Sequence, residues 1–183
     1  MANITRRTAL LAASLVAAER ARAAETRAWD FSFPSLEDGV LNLADFRGRV
    51  LLVVNTASFC GYTYQYEGLE KMHEAFAARG LTVIGFPSQD FNQEKGSNGE
   101  VKAFCDATFG VTFPMAGLSH VRGPQANAFY KWVRAQQNWE PDWNFNKVLI
   151  GRDGGIAGHF PSTEEPAGKL LSAAVARQLA VVG

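Results

Sequence analysis

The hydrophobic residues of this chain fall into two kinds of run. Val50-Leu51-Leu52-Val53-Val54 and Leu81-Thr82-Val83-Ile84-Gly85-Phe86 are short, nearly continuous stretches of β-formers, the pattern of strands covered on both faces. Between them, Leu69, Met72, His73 and Phe76 recur at helical spacing over residues 65–79, and Arg79-Gly80 stops that helix. Ser97-Asn98-Gly99-Glu100 opens a second helix carrying Val101, Phe104 and Phe109. Phe113-Pro114-Met115 reads as extended chain. A third helix, 127–136, carries Phe129, Tyr130, Trp132 and Val133. Two hairpins frame the series: Phe31-Ser32-Phe33 with Val40-Leu41-Asn42-Leu43 around Glu37-Asp38-Gly39, and Lys147-Val148-Leu149-Ile150 with Ile156–Phe160 around Asp153-Gly154. Residues 164–181 predict an Ala/Leu-rich closing helix.

Strand, helix, strand makes a βαβ unit with two parallel strands, and the last hairpin can extend the same sheet antiparallel. The expected architecture is an α/β, thioredoxin-like fold: a central mixed sheet flanked by helices, with an N-terminal hairpin. In such sheets chemistry gathers beyond the carboxyl ends of the parallel strands. Cys60 lies just past the first of these ends, and Pro87 to Gln93 just past the second.

The first residues do not belong to that pattern. Arg6-Arg7, the apolar run Ala9 to Ala18 and the small-x-small triplet Ala21-Arg22-Ala23 read as an export signal over residues 1–23, of twin-arginine type. The alternative is an amphipathic N-terminal helix that stays attached. The apolar run is shorter than the roughly 20 residues that span a bilayer. Without the signal, the 18 basic and 18 acidic residues become 14 and 17, a formal charge of −3. That excludes the basic footprint of a nucleic-acid binder. Residues 24–183 suit one domain, and the expected location is the periplasm or beyond.

Cys60 ends the segment Asn55-Thr56-Ala57-Ser58-Phe59-Cys60-Gly61, where strand passes into helix. A cysteine there meets the free N–H groups and positive dipole end of the helix, and the thiolate is the nucleophilic form. The alternative is a small buried core residue. The other cysteine is Cys105; in an exported protein the two could be a structural disulfide or a redox pair.

Three segments carry a resemblance. Asn55-Thr56-Ala57-Ser58-Phe59-Cys60-Gly61-Tyr62-Thr63, then Gly85-Phe86-Pro87-Ser88-Gln89-Asp90-Phe91-Asn92-Gln93-Glu94-Lys95-Gly96, then Trp143-Asn144-Phe145-Asn146-Lys147 resemble, in order, the three signatures of glutathione peroxidases. The resemblance spans roughly residues 29–166. It implies a thioredoxin fold and reduction of hydrogen peroxide and organic or lipid hydroperoxides. It also implies a site made of Cys60, Gln93, Trp143 and Asn144. In that site Cys60 attacks the peroxide oxygen and becomes a sulfenic acid. The Gln93 amide and Trp143 indole donate to the thiolate and to the departing oxygen, and Asn144 adds an amide or backbone contact. The second segment departs from the family form: Ser88 stands for Cys, Gln89 for Asn, Asp90 for Gln, and Lys95 for Pro, with one residue fewer before Gln93. Gln89 is therefore the alternative to Gln93.

Cys105 lies in Val101-Lys102-Ala103-Phe104-Cys105-Asp106, the region where non-animal members of the family carry a resolving cysteine. The resemblance implies that it condenses with the sulfenic acid to a disulfide, which a thioredoxin-like protein then reduces; glutathione is the other candidate reductant. Cysteines with Cα atoms more than about 7 Å apart need backbone movement to bridge. Only twelve residues separate Tyr130 from Trp143, without the insertion that builds the interface of tetrameric members, so a monomer is expected.

No metal site is expected, since His73, His120 and His159 are scattered, and no organic cofactor is implied. Arg122 and Lys147 are candidate attractants for an anionic thiol. Two rival functions remain: a thiol–disulfide oxidoreductase, which would want Cys-x-x-Cys where Cys60-Gly61-Tyr62-Thr63 stands, and a copper-delivery or redox-sensor protein, for which the nearby second cysteine is also missing.

Overall fold

The computed structural model describes residues 26–181; the expected export signal, 1–23, lies outside them. A mixed four-stranded sheet forms the centre, in the order β4-β3-β5-β6. β3 (Val50–Thr56) and β4 (Leu81–Pro87) run parallel, from Val50↔Leu81 to Thr56↔Pro87. β5 (Lys147–Ile150) lies antiparallel on the other side of β3, with Val53 opposite Val148, and β6 (Ile156–Phe160) pairs antiparallel with β5. The N-terminal hairpin is a separate two-stranded ribbon of β1 (Ser32–Pro34) and β2 (Val40–Asn42). The thioredoxin-like α/β plan is therefore the one observed.

Every residue of β3 and β4 is buried, as expected of strands with helices on both faces. The pleat sorts them. Leu52 and Val54 point to a cluster holding Tyr66, Leu69, Cys60, Cys105 and Phe145. Leu51 and Val53 point to one holding Phe86, Phe129, Trp132 and Phe33. α1 (Gln65–Ala77), α2 (Asn98–Phe109) and α4 (Lys169–Ala180) contribute to the first cluster, and α3 (Ala128–Gln137) to the second. Residues 113–116 cover the open edge of β4: Gly85 N–H donates to Pro114 C=O (3.0 Å), and Ala116 N–H to Gly85 C=O (2.8 Å). A Cβ at Gly85 would sit 3.0 Å from the Met115 side chain, which would have to give by a few tenths of an ångström to admit it.

Two helix boundaries differ from the sequence expectation. α1 stops at Ala77, where Arg79 N–H and Gly80 N–H turn back to Phe76 and Ala77 carbonyls. The last helix starts at Lys169 instead of 164, because Pro166 sits in a turn and the Glu164 carboxylate caps the helix. Its Oε1 accepts from Leu170 N–H (2.9 Å) and Leu171 N–H (3.0 Å).

Candidate active site

Beyond Thr56 the chain tightens through successive turns before α1 begins. Thr63 N–H donates to Cys60 C=O (3.0 Å), Gln65 N–H to Tyr62 C=O (2.9 Å), and Tyr66 N–H to Thr63 C=O (3.1 Å). Cys60 thus stands at the entrance of a turn-to-helix run, not on the helix itself. Thr63 clamps it: Oγ1 accepts from Cys60 N–H (3.0 Å) and donates to Ala57 C=O (2.9 Å). The sulfur accepts from Tyr62 N–H at 3.4 Å. With 8% of its surface exposed, Cys60 is shielded without being sealed.

The loop after β4 is tied to this turn, since Phe59 N–H donates to Gln93 C=O (2.9 Å). The Gln93 side chain accepts at Oε1 from Asn144 Nδ2 (2.9 Å), which leaves its own amide hydrogens to donate. Gln89 has a different task. Its amide donates to the Glu94 and Lys95 carbonyls, and its Oε1 accepts from Glu94 N–H (3.4 Å), so it staples the loop to itself. Between the two glutamines, the geometry favours Gln93. Asp90 faces away, accepting from Val121 N–H (2.6 Å) and Arg122 N–H (3.2 Å) and pairing with His120 Nδ1 (2.6 Å). Burial pushes its carboxyl pKa up, but the bonds from His120, Val121 and Arg122 prevail and hold it below the usual range.

Trp143 and Asn144 arrive from the segment before β5. Trp143 is 41% exposed and packs on Phe91 (centroids 5.3 Å), while Asn144 is fully buried. Phe145 holds φ at 61°, a left-handed conformation that costs a non-glycine residue about 1–3 kcal/mol. It is retained by Phe145 N–H to Asn55 C=O (2.6 Å) and by an edge-on contact with Tyr66 at 5.3 Å. The chain thereby passes from exposed Trp143 to core Phe145 in two residues. Neither Gln93 nor Trp143 hydrogen-bonds the Cys60 sulfur among the described residues; a thiol is a weak acceptor, and such donors tighten once charge develops.

A polar brace lies behind this segment, and sequence reasoning missed it. Asn55 Nδ2 (2.9 Å) and Asn146 Nδ2 (3.0 Å) both donate to Trp143 C=O, and Ser162 Oγ donates to Asn144 C=O (2.6 Å). Lys147 Nζ donates to Gln65 Oε1 (2.6 Å) and Glu164 C=O (2.6 Å), and Gln65 Nε2 to Ser162 C=O (2.7 Å). Lys147 is wholly buried, which corrects its expected role as a surface attractant for anions. Burial drives its pKa down to about 8, against the nearby Glu165 and Glu164. The available signal was a lysine abutting Val148-Leu149-Ile150, a run with no other polar residue.

The sequence of this braced fold matches the family model for glutathione peroxidase over residues 28–134. The chain belongs to the glutathione peroxidase family. It is 39% identical over 143 residues to the glutathione peroxidase of Lactococcus lactis subsp. cremoris, covering 75% of this chain and 91% of the relative. It is 40% identical over 149 residues to the hydroperoxy fatty acid reductase gpx1 of Synechocystis sp., covering 75% and 88%. The crystal structure of apo Trgpx superposes with a TM-score of 0.68 at 35% identity, over 85% of this chain and 96% of that one. The protein is accordingly a thiol peroxidase acting on hydroperoxides. Cys60, Gln93 and Cys105 fall inside the matched region, and Trp143 and Asn144 just beyond it.

In this glutathione peroxidase, Cys105 occupies the middle of α2 with no exposed surface and shares an apolar cluster with Cys60. Both are free thiols. Burial pushes the Cys105 thiol up to about 11, partly opposed by a hydrogen bond with Tyr66. Around Cys60 the surface is aromatic: Phe59 is 62% and Tyr64 53% exposed. The Lys95 ammonium sits 4.5 Å from the Phe59 ring centre, and the Arg122 guanidinium 5.3 Å from that of Phe91.

Proposed function

We propose that Cys60 is the peroxidatic nucleophile, supported by Gln93, Trp143 and Asn144, and that Cys105 is the resolving thiol. The carrying observation is Gln93, whose backbone holds Phe59 while its side chain holds Asn144. That one residue ties together all three loops. The Cys60 thiolate attacks the distal oxygen of the hydroperoxide, the O–O bond breaks, and the alcohol or water leaves with a proton; Cys60 retains the oxygen as sulfenic acid. The free Gln93 amide and the Trp143 indole suit the developing oxyanion. Cys105 then condenses with the sulfenic acid, and a thioredoxin-like protein, or glutathione, returns both thiols.

Substrates with apolar tails fit the exposed Phe59, Tyr64 and Trp143 rings beside Lys95, in line with the fatty-acid substrate named for the Synechocystis relative. A thioredoxin-type exchange reading is disfavoured by Thr63. It stands where the second cysteine would be, and its hydroxyl is spent on Cys60 and Ala57. The protein works as a monomer, exported by residues 1–23 with cleavage after Ala23. Mass spectrometry after one equivalent of hydrogen peroxide tests the site: an internal Cys60–Cys105 disulfide is expected, and a lasting sulfenic acid on Cys60 with Cys105 still free would reject the resolving role.

A further inference from the structure

Asp90 has no part in the chemistry described so far, yet its side chain is only 10% exposed. Oδ2 accepts from Val121 N–H (2.6 Å) and Arg122 N–H (3.2 Å), and Oδ1 pairs with His120 Nδ1 (2.6 Å). Asp90 N–H in turn donates to Ser88 Oγ (3.2 Å). The loop after β4 is thereby fastened along residues 120–122. The backbone that Asp90 grips carries the Arg122 guanidinium, which lies 5.3 Å from the centre of the Phe91 ring. Phe91, the next residue in the chain, packs on the Trp143 indole with centroids 5.3 Å apart. Asn55 and Asn146 fix the Trp143 carbonyl from behind, but bonds to the backbone leave the ring free to turn about its side-chain torsions. A cavity of about 320 Å³ lined by Tyr62, Pro161 and Thr163, among others, also borders Trp143, so the indole is not enclosed.

We propose that Asp90 is a positioning residue for the oxidation of Cys60: by holding Val121 and Arg122 it sets Phe91, and Phe91 sets the Trp143 indole. The inference rests on Trp143 being a donor to the departing oxygen. An indole has one N–H, and a hydrogen bond weakens steeply as its angle closes. The value of that donor in the transition state therefore depends on the angle at which the ring is held. A carboxylate suits the anchoring task. It accepts only, its bonds to N–H groups are short and strong when it is ionised, and its short side chain has few torsions to spare. Asp90 and Phe91 are adjacent, so a shift at the carboxylate is passed to the ring beside it. The Arg122 cation over that ring adds an attraction from the segment Asp90 grips. Asp90 makes no hydrogen bond to Cys60, Gln93 or Trp143 among the described residues, so it acts through its neighbours and not on the reacting atoms. The rival route runs along the loop to Gln93, three residues on, and the test separates the two.

The test is a double-mutant cycle on the rate of Cys60 oxidation by hydrogen peroxide, read by stopped-flow mixing. Trp143→Phe alone is expected to be about tenfold slower than wild type. Asp90→Ala is expected to be about fivefold slower in the wild-type background. In the Trp143→Phe background the same change should alter the rate by less than about 1.5-fold, because the donor it places is already gone. Asp90→Asn should stay within about twofold of wild type, since its amide oxygen can still accept from the two N–H groups. Phe91→Leu leaves the Asp90 bonds in place and tests the second link; it should slow oxidation about as much as Asp90→Ala. A wild-type rate in either Asp90→Ala or Phe91→Leu overturns the inference. So does an Asp90→Asn variant as slow as Asp90→Ala. Equal slowing by Asp90→Ala in both backgrounds also overturns it, and marks a route through Gln93 or a general loosening of the loop. A Trp143→Phe variant that oxidises at the wild-type rate fails one step earlier: the inference falls with it, and the error lies in the donor role of Trp143.

Discussion

Cys60 and Cys105 share one apolar cluster, yet they are held by opposite means. The Cys60 turn is fixed by directed hydrogen bonds: Thr63 clamps its backbone, Tyr62 N–H meets its sulfur, and Gln93 ties Phe59 and Asn144 together. Behind Asn144 stands the Lys147–Gln65–Ser162 brace. Cys105 is held mainly by packing, on α2 within the apolar cluster of Tyr66, Leu69 and Phe145. A polar brace holds geometry to fractions of an ångström, as a reacting thiol needs. A thiol buried in an apolar cluster resists ionisation. In the proposed cycle, that difference separates the attacking thiol from the resolving one.

The largest test of that contrast is Cys60→Ser. Serine is close in shape but a far weaker nucleophile at neutral pH. Peroxide consumption should fall by at least about a thousandfold with the circular dichroism spectrum unchanged, and substantial residual activity would move the chemistry elsewhere. Cys105→Ser should leave the first turnover intact, measured as one sulfenic acid per chain. Steady-state turnover with a thioredoxin-type donor should then drop about 100-fold, because that donor attacks a disulfide. Turnover with glutathione should survive. Normal thioredoxin-driven cycling would make Cys105 a structural residue.

A smaller effect, about tenfold each on the rate of Cys60 oxidation, is expected from Gln93→Ala and Trp143→Phe, read by stopped-flow mixing with peroxide. Gln89→Ala should instead loosen the loop and lower the melting temperature. If it slows the chemistry more than Gln93→Ala does, the donor assignment passes to Gln89.

The mildest change concerns the brace. Lys147 titrates near 8 in the fold and near 10.5 when unfolded, so between those values the unfolded chain binds more protons. Stability from this group therefore rises with pH from about 8 to 10.5 and is lowest below 8. Denaturant titrations of wild type should show that rise, and those of Lys147→Met should lack it. The same variant should oxidise Cys60 a few-fold more slowly, as Gln65 loses its donor. An unchanged pH dependence would mean that Lys147 reaches solvent.

Elements set by near neighbours were legible in the chain. The apolar runs of β3 and β4, the helical stripe of α1 and both hairpins follow from side-chain periodicity, and they place Cys60 just past the carboxyl end of a parallel strand. Helix ends were less legible, because the cap of α4 is the Glu164 carboxylate and lies five residues before the helix. The family segments gave Gln93, Trp143 and Asn144 by resemblance, but not what each touches. Only the folded chain separates Gln89 from Gln93 by what each touches, since both lie in one polar loop and meet different groups across space. Only the fold buried Lys147, by bringing Gln65 to Ser162 across 97 residues. Periodicity records which face of an element is covered; it carries no record of which polar atom on another element meets it there.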